Sequence, residues 1–166
     1  WPRWLFMWVL AFAIFCGCKW LTWKRSGVRE VSIGRSLGYL MLWPGLDAKS
    51  FLKSLPSRVS KPTWQEWGFA LAKTLLGLFL VYFCVNQVPA DWPILSGWVG
   101  MIGIVFCLHF GLFHLFSCAW RTVGVEAKPL MNFPILSTGL GEFWGKRWNT
   151  AFRDLTHQFL FRPLAR

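Results

Sequence analysis

Three apolar runs, at about 4–23, 68–88 and 95–120, limit what this chain can fold into more than any other feature. At 1.5 Å per helical residue, each is long enough to cross a hydrocarbon layer of roughly 30 Å. No water is present there to satisfy backbone N–H and C=O groups, so runs of this kind span as helices. The expectation is an all-α fold, a multi-pass transmembrane helical bundle with interfacial amphipathic helices, forming a single integral-membrane domain over 1–166. Composition agrees, since 55% hydrophobic residues and only 15% charged ones do not describe a soluble surface. The first run has a second reading as a signal peptide, because Arg3 and the Ala11-x-Ala13 pair imitate its parts. Its heavy Trp and Phe content, and the lack of a following mature domain, favour a span.

The placement of charge separates membrane orientation from nucleic-acid binding. The net charge is +11, but the cations lie between apolar runs and not along one solvated face, so no nucleic-acid partner is indicated. Nine Lys and Arg fall between the first and second runs, counting Lys19, none between the second and third, and seven after the third. By the positive-inside rule the two basic regions face the cytoplasm and the Pro89 to Pro93 turn faces outward. The host membrane is a bacterial inner membrane or the endoplasmic reticulum; the oligomeric state stays open.

Between the first two spans, Val31 to Trp43 is semi-apolar, too short to cross, and stopped by Pro44-Gly45, which suits an in-plane or re-entrant helix. Asp47 can cap a short helix that ends before Pro56, and Ser57 to Thr63 has loop composition. Lys73 sits far enough from mid-span to snorkel back to the headgroups. No Asp or Glu falls inside a run, which disfavours ion or proton transport. In the third run, Gly100, Gly103, Cys107, Gly111, His114 and Cys118 form one narrow stripe, a seam along which a neighbouring helix can approach closely. His109 points nearly the opposite way. As ionisable groups inside a span, His109 and His114 are a candidate intramembrane polar site. Cys107, His114 and Cys118 could ligate a metal only from one side, so no metal is expected. The five cysteines all lie in apolar stretches and give no disulfide framework.

Beyond the third span, two prolines, Pro129 and Pro134, interrupt any helix, and an amphipathic interfacial helix is expected over about 139–162. On it Glu142, Lys146, Asn149, Arg153 and His157 share one side, with Trp144, Trp148, Phe152, Leu155 and Phe159 mostly on the other.

At this point the residues resemble a family. Pro129-Leu130-Met131, a second proline, and then Leu140-Gly-Glu-Phe143-Trp144-Gly-Lys146-Arg147-Trp148-Asn149 are similar to the wax synthase-like branch of the membrane-bound O-acyltransferases, which carry a Phe-Trp pair followed by Trp-Asn or Trp-His. The His109 to Phe113 segment HFGLF and Trp43-Pro44-Gly45 match more weakly, and the resemblance covers roughly Phe106 to Leu164. It implies transfer of an acyl group from acyl-coenzyme A, a co-substrate with no further cofactor, to the hydroxyl of a lipid alcohol among membrane lipids. On that basis Asn149 is the catalytic candidate, orienting the thioester or the attacking hydroxyl. Trp144, Lys146, Arg147 and Trp148 are substrate-binding candidates, the basic pair attracting the coenzyme's phosphates. The family's general-base histidine belongs to an apolar helix downstream of the motif, and neither His157 nor the two span histidines match it. With Trp1 at the start and Arg166 at the end, the expectation is a piece of a longer chain, inactive alone.

Two other readings compete with this one. Gly34-Arg-Ser36-Leu-Gly38 fits a nucleophile elbow, but an elbow needs a strand leading into it, and no strand pattern is present. A non-catalytic multi-pass scaffold or accessory subunit is the remaining alternative.

Overall fold

Leu, Phe, Trp and Ala fill positions 3–25 without a proline, and the segment forms one helix, α1 (Arg3–Arg25). The computed structural model describes residues 2–28, 31–53, 59–161 and 164. Among these there is no strand, and three helices are long and apolar enough to cross a membrane: α1, α4 (Trp64–Gln87) and α5 (Pro93–Thr122). The expected all-helical membrane class therefore stands.

Along α1, Lys19 and Thr22 alone are buried, while Trp, Phe and Leu side chains point outward, as lipid-facing residues do. Lys19 belongs to this helix and is not one of the loop cations with which it was counted. Its Nζ donates to the carbonyls of Tyr39 at 2.9 Å and Gly45 at 2.5 Å, and lies 3.6 Å from the centre of the Tyr39 ring. Thr22 Oγ1 and the Tyr39 hydroxyl are 2.7 Å apart. A lysine inside a span thus finds its partners in the segment that follows, α2 (Ile33–Leu42) and the turn after it. The segment proposed as a nucleophile elbow lies inside α2, with no strand entering it.

Trp43 precedes Pro44 and takes an extended backbone, φ −126° and ψ 119°, which ends α2 as a residue before proline should. Asp47 then caps α3 (Ala48–Lys53): Ser50 N–H donates to Oδ1 at 3.0 Å and Ser50 Oγ to Oδ2 at 2.6 Å. The expected helix end before Pro56, and the first two residues of the loop expected from Ser57, lie outside the described residues. Tyr39, Trp43, Phe51 and Leu52 join Val125, Ala127, Leu130 and Ala151 in a core outside the spans. Trp120 seals it against Gly38, where a Cβ would come within 2.5 Å of the indole.

Helices α4 and α5 form an antiparallel hairpin about a turn at Pro93, and each widens into π-type turns, at Leu80–Cys84 and Val105–Leu112. The seam of small residues faces α4. A Cβ on Gly103 would lie 2.7 Å from Val81 Cγ2, and one on Gly111 2.7 Å from the Thr74 Cα, so the two backbones pass as closely as glycine permits. The second helix starts earlier than its apolar run. Thr63 caps it by accepting from Glu66 N–H at 3.2 Å, which places Glu66 in the first turn. An acid therefore does lie within a span helix, contrary to what the apolar runs alone indicate.

The interfacial helix expected over about 139–162 is broken in two. Residues 140–147 form α6, and residues 150–161 form α7. Between them Trp148 is extended and Asn149 is left-handed, with φ 42° and ψ 66°. Asn tolerates that region better than most residues. Long-range hydrogen bonds hold the break, Asn132 N–H to Arg147 C=O at 2.9 Å and Thr150 N–H to Leu130 C=O at 3.0 Å. The two stripes drawn for one helix therefore do not continue across it.

Candidate functional site

A cavity of about 1150 Å³ opens between the α4–α5 hairpin and the segment after α5. Its apolar wall includes Phe69, Phe106 and Phe110 from the spans, Leu46 from the segment after α2, and Met131 from the loop. Its polar wall includes Glu66, Lys73, His109 and His114. Apolar walls with a few convergent polar groups are the usual form of a small-molecule site.

The polar groups are wired together. Arg121 holds Glu66 in two parallel hydrogen bonds, Nη1 to Oε1 at 2.8 Å and Nη2 to Oε2 at 2.6 Å. His114 Nε2 lies 3.1 Å from the same Oε1, and Lys73 Nζ 2.9 Å from His114 Nδ1. Since a carboxylate only accepts, His114 carries its proton on Nε2 and accepts a hydrogen bond from Lys73 at Nδ1. Lys73 thus bonds to a neighbouring helix, where the sequence suggested it would reach the headgroups. Glu66, His114 and Cys118 place possible ligand atoms within 4.8 Å of one another, with Glu66 in place of the Cys107 considered earlier. Both Glu66 oxygens accept from Arg121, His114 Nε2 bonds to Glu66 and His114 Nδ1 to Lys73, so these atoms already form an ion-pair network.

His109 joins this wall to the motif after the spans. Its ring stacks on the Trp148 indole, centroids 6.1 Å apart at 23°. Phe143 lies near-parallel to that indole at 5.4 Å, and Phe110 meets it edge-on at 6.0 Å. Trp144 is mostly exposed and touches Phe143 and Trp148 edge-on. Behind them Asn149 N–H points to Met131 Sδ at 3.3 Å, and its carboxamide makes no hydrogen bond with the described residues. Pro129-Leu130-Met131 and Trp148-Asn149, distant in sequence, are thereby one local structure.

Arg147 serves that structure internally. Its Nε donates to Glu142 Oε1 at 2.7 Å, and Nη1 reaches the carbonyls of Asn132 and Phe133, each at 3.4 Å. Thr138 N–H and hydroxyl donate to Glu142 Oε2 at 3.0 and 2.8 Å. These bonds, the Thr138 N–H first, hold the Glu142 carboxyl down at about 2. Phe133 and Asn149 are the non-glycine residues with left-handed backbone among the described residues, a strain of order 1–3 kcal/mol each that tends to gather at working sites.

Of the residues singled out in the sequence, His109, His114 and Lys146 line the cavity; Trp148 packs on its wall from behind. Trp144, Arg147 and Asn149 are not among the lining residues. Lys146 is exposed, with no ion pair among the described residues. Glu66 and Arg121 were missed, although a signal existed: in an antiparallel hairpin, residues equally far from the turn face each other. Glu66 and Arg121, like Lys73 and His114, are equally far from Pro93 to within a residue.

Over 72 residues, 40% of this chain, the sequence is 32% identical to a protein of Simmondsia chinensis named long-chain-alcohol O-fatty-acyltransferase. The chain resembles wax synthases. A second relative, from Arabidopsis thaliana and named "Probable long-chain-alcohol O-fatty-acyltransferase 6", is 25% identical over 113 residues, 68% of this chain. The matches cover 20% and 32% of the lengths of these two wax synthase relatives, so the chain spans a third of them or less. No protein-family model matches, and no solved structure does.

Proposed function

We propose that this chain is the part of a wax synthase-like O-acyltransferase that receives the acyl donor, for transfer of the acyl group from acyl-coenzyme A to a lipid alcohol. The observation that carries this reading is the position of the Phe143-to-Asn149 motif, folded through Trp148 onto His109 at the wall of an apolar cavity. The names of the curated relatives support the reaction class. In this reading Lys146, a cation on the cavity with no ion pair among the described residues, attracts the coenzyme's phosphates. Asn149, its carboxamide without a partner among the described residues, steadies the thioester carbonyl or the attacking hydroxyl. Trp148 braces the wall through His109, and Trp144 packs edge-on against Trp148. Arg147, already bonded to Glu142 and two carbonyls, holds the loop in place and leaves ligand binding to Lys146.

The test is acyl transfer by the complete gene product, from labelled acyl-coenzyme A to a panel of fatty, sterol and glycerol-based alcohols. Removing one transition-state donor costs on the order of a hundredfold. Asn149→Ala should lose that much in kcat, and Lys146→Ala should raise KM for the acyl donor. Full activity in Asn149→Ala would remove the catalytic assignment, and no transfer to any alcohol by the wild type would remove the reaction class.

A further inference from the structure

The half-buried network on the cavity wall carries an imbalance of charge. Arg121 and Glu66 neutralise each other through two hydrogen bonds, and His114, donating to Glu66 and accepting from Lys73, is neutral. Two cations against one anion leave a single positive charge, and it resides on Lys73, half-buried about 10 Å along α4 from Glu66 at 1.5 Å per residue. The other basic residues on the same cavity differ in this respect. Lys128 pairs with Glu126 at 2.9 Å, Arg153 pairs with Asp154 at 2.6 Å, and Lys146 is exposed to water. A lysine in a span is costly without an anionic partner, by about 2.5–3.5 kcal/mol on insertion scales at mid-membrane. His114 supplies Lys73 with a hydrogen bond but no opposite charge, and the ammonium has two further N–H groups with no partner among the described residues.

What faces that ammonium is an apolar channel. Phe69, Phe106, Phe110 and Met131 line the cavity it enters, and its volume of about 1150 Å³ is at the upper end for small-molecule sites. On the same wall His109 has its Nδ1 out of solvent with no hydrogen-bond partner among the described residues, a polar atom that a ligand's head can reach. The network's one uncompensated charge calls for a monoanion, Asp47 elsewhere on the lining being bonded to Ser50, and the walls call for a hydrocarbon chain.

We propose that this cavity binds a single-chain fatty carboxylate, with its head on the Lys73 ammonium and its chain against Phe69, Phe106 and Phe110. The charge-assisted hydrogen bond replaces the missing counter-ion, and Glu66 with Arg121 fixes His114 so that Lys73 is aimed into the cavity. The assignment does not depend on acyl transfer, because binding alone expresses it.

The experiment uses the full chain in lipid nanodiscs, with empty nanodiscs as the blank, and a dansylated fatty acid as the bound probe. Palmitate, methyl palmitate, hexadecanol and hexadecyl phosphate are compared as displacers. Palmitate should displace the probe at concentrations about tenfold or more below those of the ester and the alcohol. Lys73→Met should erase that preference, and Lys73→Arg should keep it. Equal displacement by palmitate, ester and alcohol on the unaltered chain would overturn the proposal whatever the variants do. So would tighter binding of the dianionic phosphate than of palmitate, or a carboxylate preference that survives in folded Lys73→Met.

Discussion

The Trp148 indole lies nearly parallel to the His109 ring, 6.1 Å between centroids, and so fastens the segment after the spans to the middle of α5. A half-buried aromatic that meets four other rings holds more than its own area, since ring pairs add about 0.5–1.5 kcal/mol each beyond burial. Trp148→Ala should therefore lower the stability of the detergent-purified chain by about 2–3 kcal/mol, and Trp148→Phe by less than half of that. Thermal unfolding followed by Trp fluorescence measures both. Equal losses in the two variants would show that ring stacking is not what holds the segment.

Glu66 and Arg121 clamp the open end of the hairpin. Their side chains are 25% and 12% exposed, so the pair lies between a surface ion pair, worth about 1 kcal/mol or less, and a buried one, whose breaking costs about 3–5. Glu66→Gln and Arg121→Met should each cost about 2 kcal/mol, and the double variant less than the sum. A double-mutant cycle on chemical unfolding checks this; strict additivity would mean that the two side chains do not interact.

The glycines of the seam allow a matched comparison. A Cβ on Gly111 meets the Thr74 backbone, which cannot swing aside, whereas a Cβ on Gly97 meets nothing within 4 Å. Gly111→Ala should separate α4 from α5 at a cost of about 1–3 kcal/mol, and Gly97→Ala should be neutral or slightly stabilising. Cysteine cross-linking between the two helices, combined with thermal unfolding, distinguishes the two cases.

Acid should loosen the motif before it unfolds the spans. The Glu142 carboxyl is held at about 2, below its ordinary 4.5, by Thr138 and Arg147. A depressed carboxyl stabilises the fold fully above the unfolded value and loses that contribution as pH falls through the folded one. The order around Trp144 and Trp148 should thus be constant above pH 4.5 and decline between about 4.5 and 2. Glu142→Gln should abolish this titration in a Trp fluorescence curve; an unchanged curve in the variant would place the transition elsewhere.

The parts of this fold that were legible from sequence are those governed by local rules. Long apolar runs make helices in a bilayer, Pro44-Gly45 and Pro93 punctuate them, and small residues at helical spacing from Gly100 to Cys118 announce a close neighbour. Long-range partners were less visible. Glu66 lies in a capped first turn outside the hydrophobic window, and only the pairing of residues across the hairpin connects it to Arg121. Asn149 interrupts a sequence that alternates well as a helix, because backbone groups at Leu130 and Asn132 compete for the hydrogen bonds a continuing helix would use. Of the candidate site, the aromatic motif and the two histidines could be named from their residues. That His109 and Trp148 touch required the folded chain.

Lys19 has a consequence for how the protein is made. Its ammonium rests on the carbonyls of Tyr39 and Gly45, the latter 26 positions further along the chain. When α1 first leaves the ribosome those acceptors are still enclosed in the exit tunnel, and the helix must enter the lipid carrying a charge it can only lodge at the surface. Its final depth is therefore set after synthesis has passed Gly45, when the following lobe folds back beneath it. Maturation of α1 thus waits on α2, and a released chain truncated before Tyr39 should leave Lys19 open to amine-reactive reagents that do not reach it once Gly45 is present and folded.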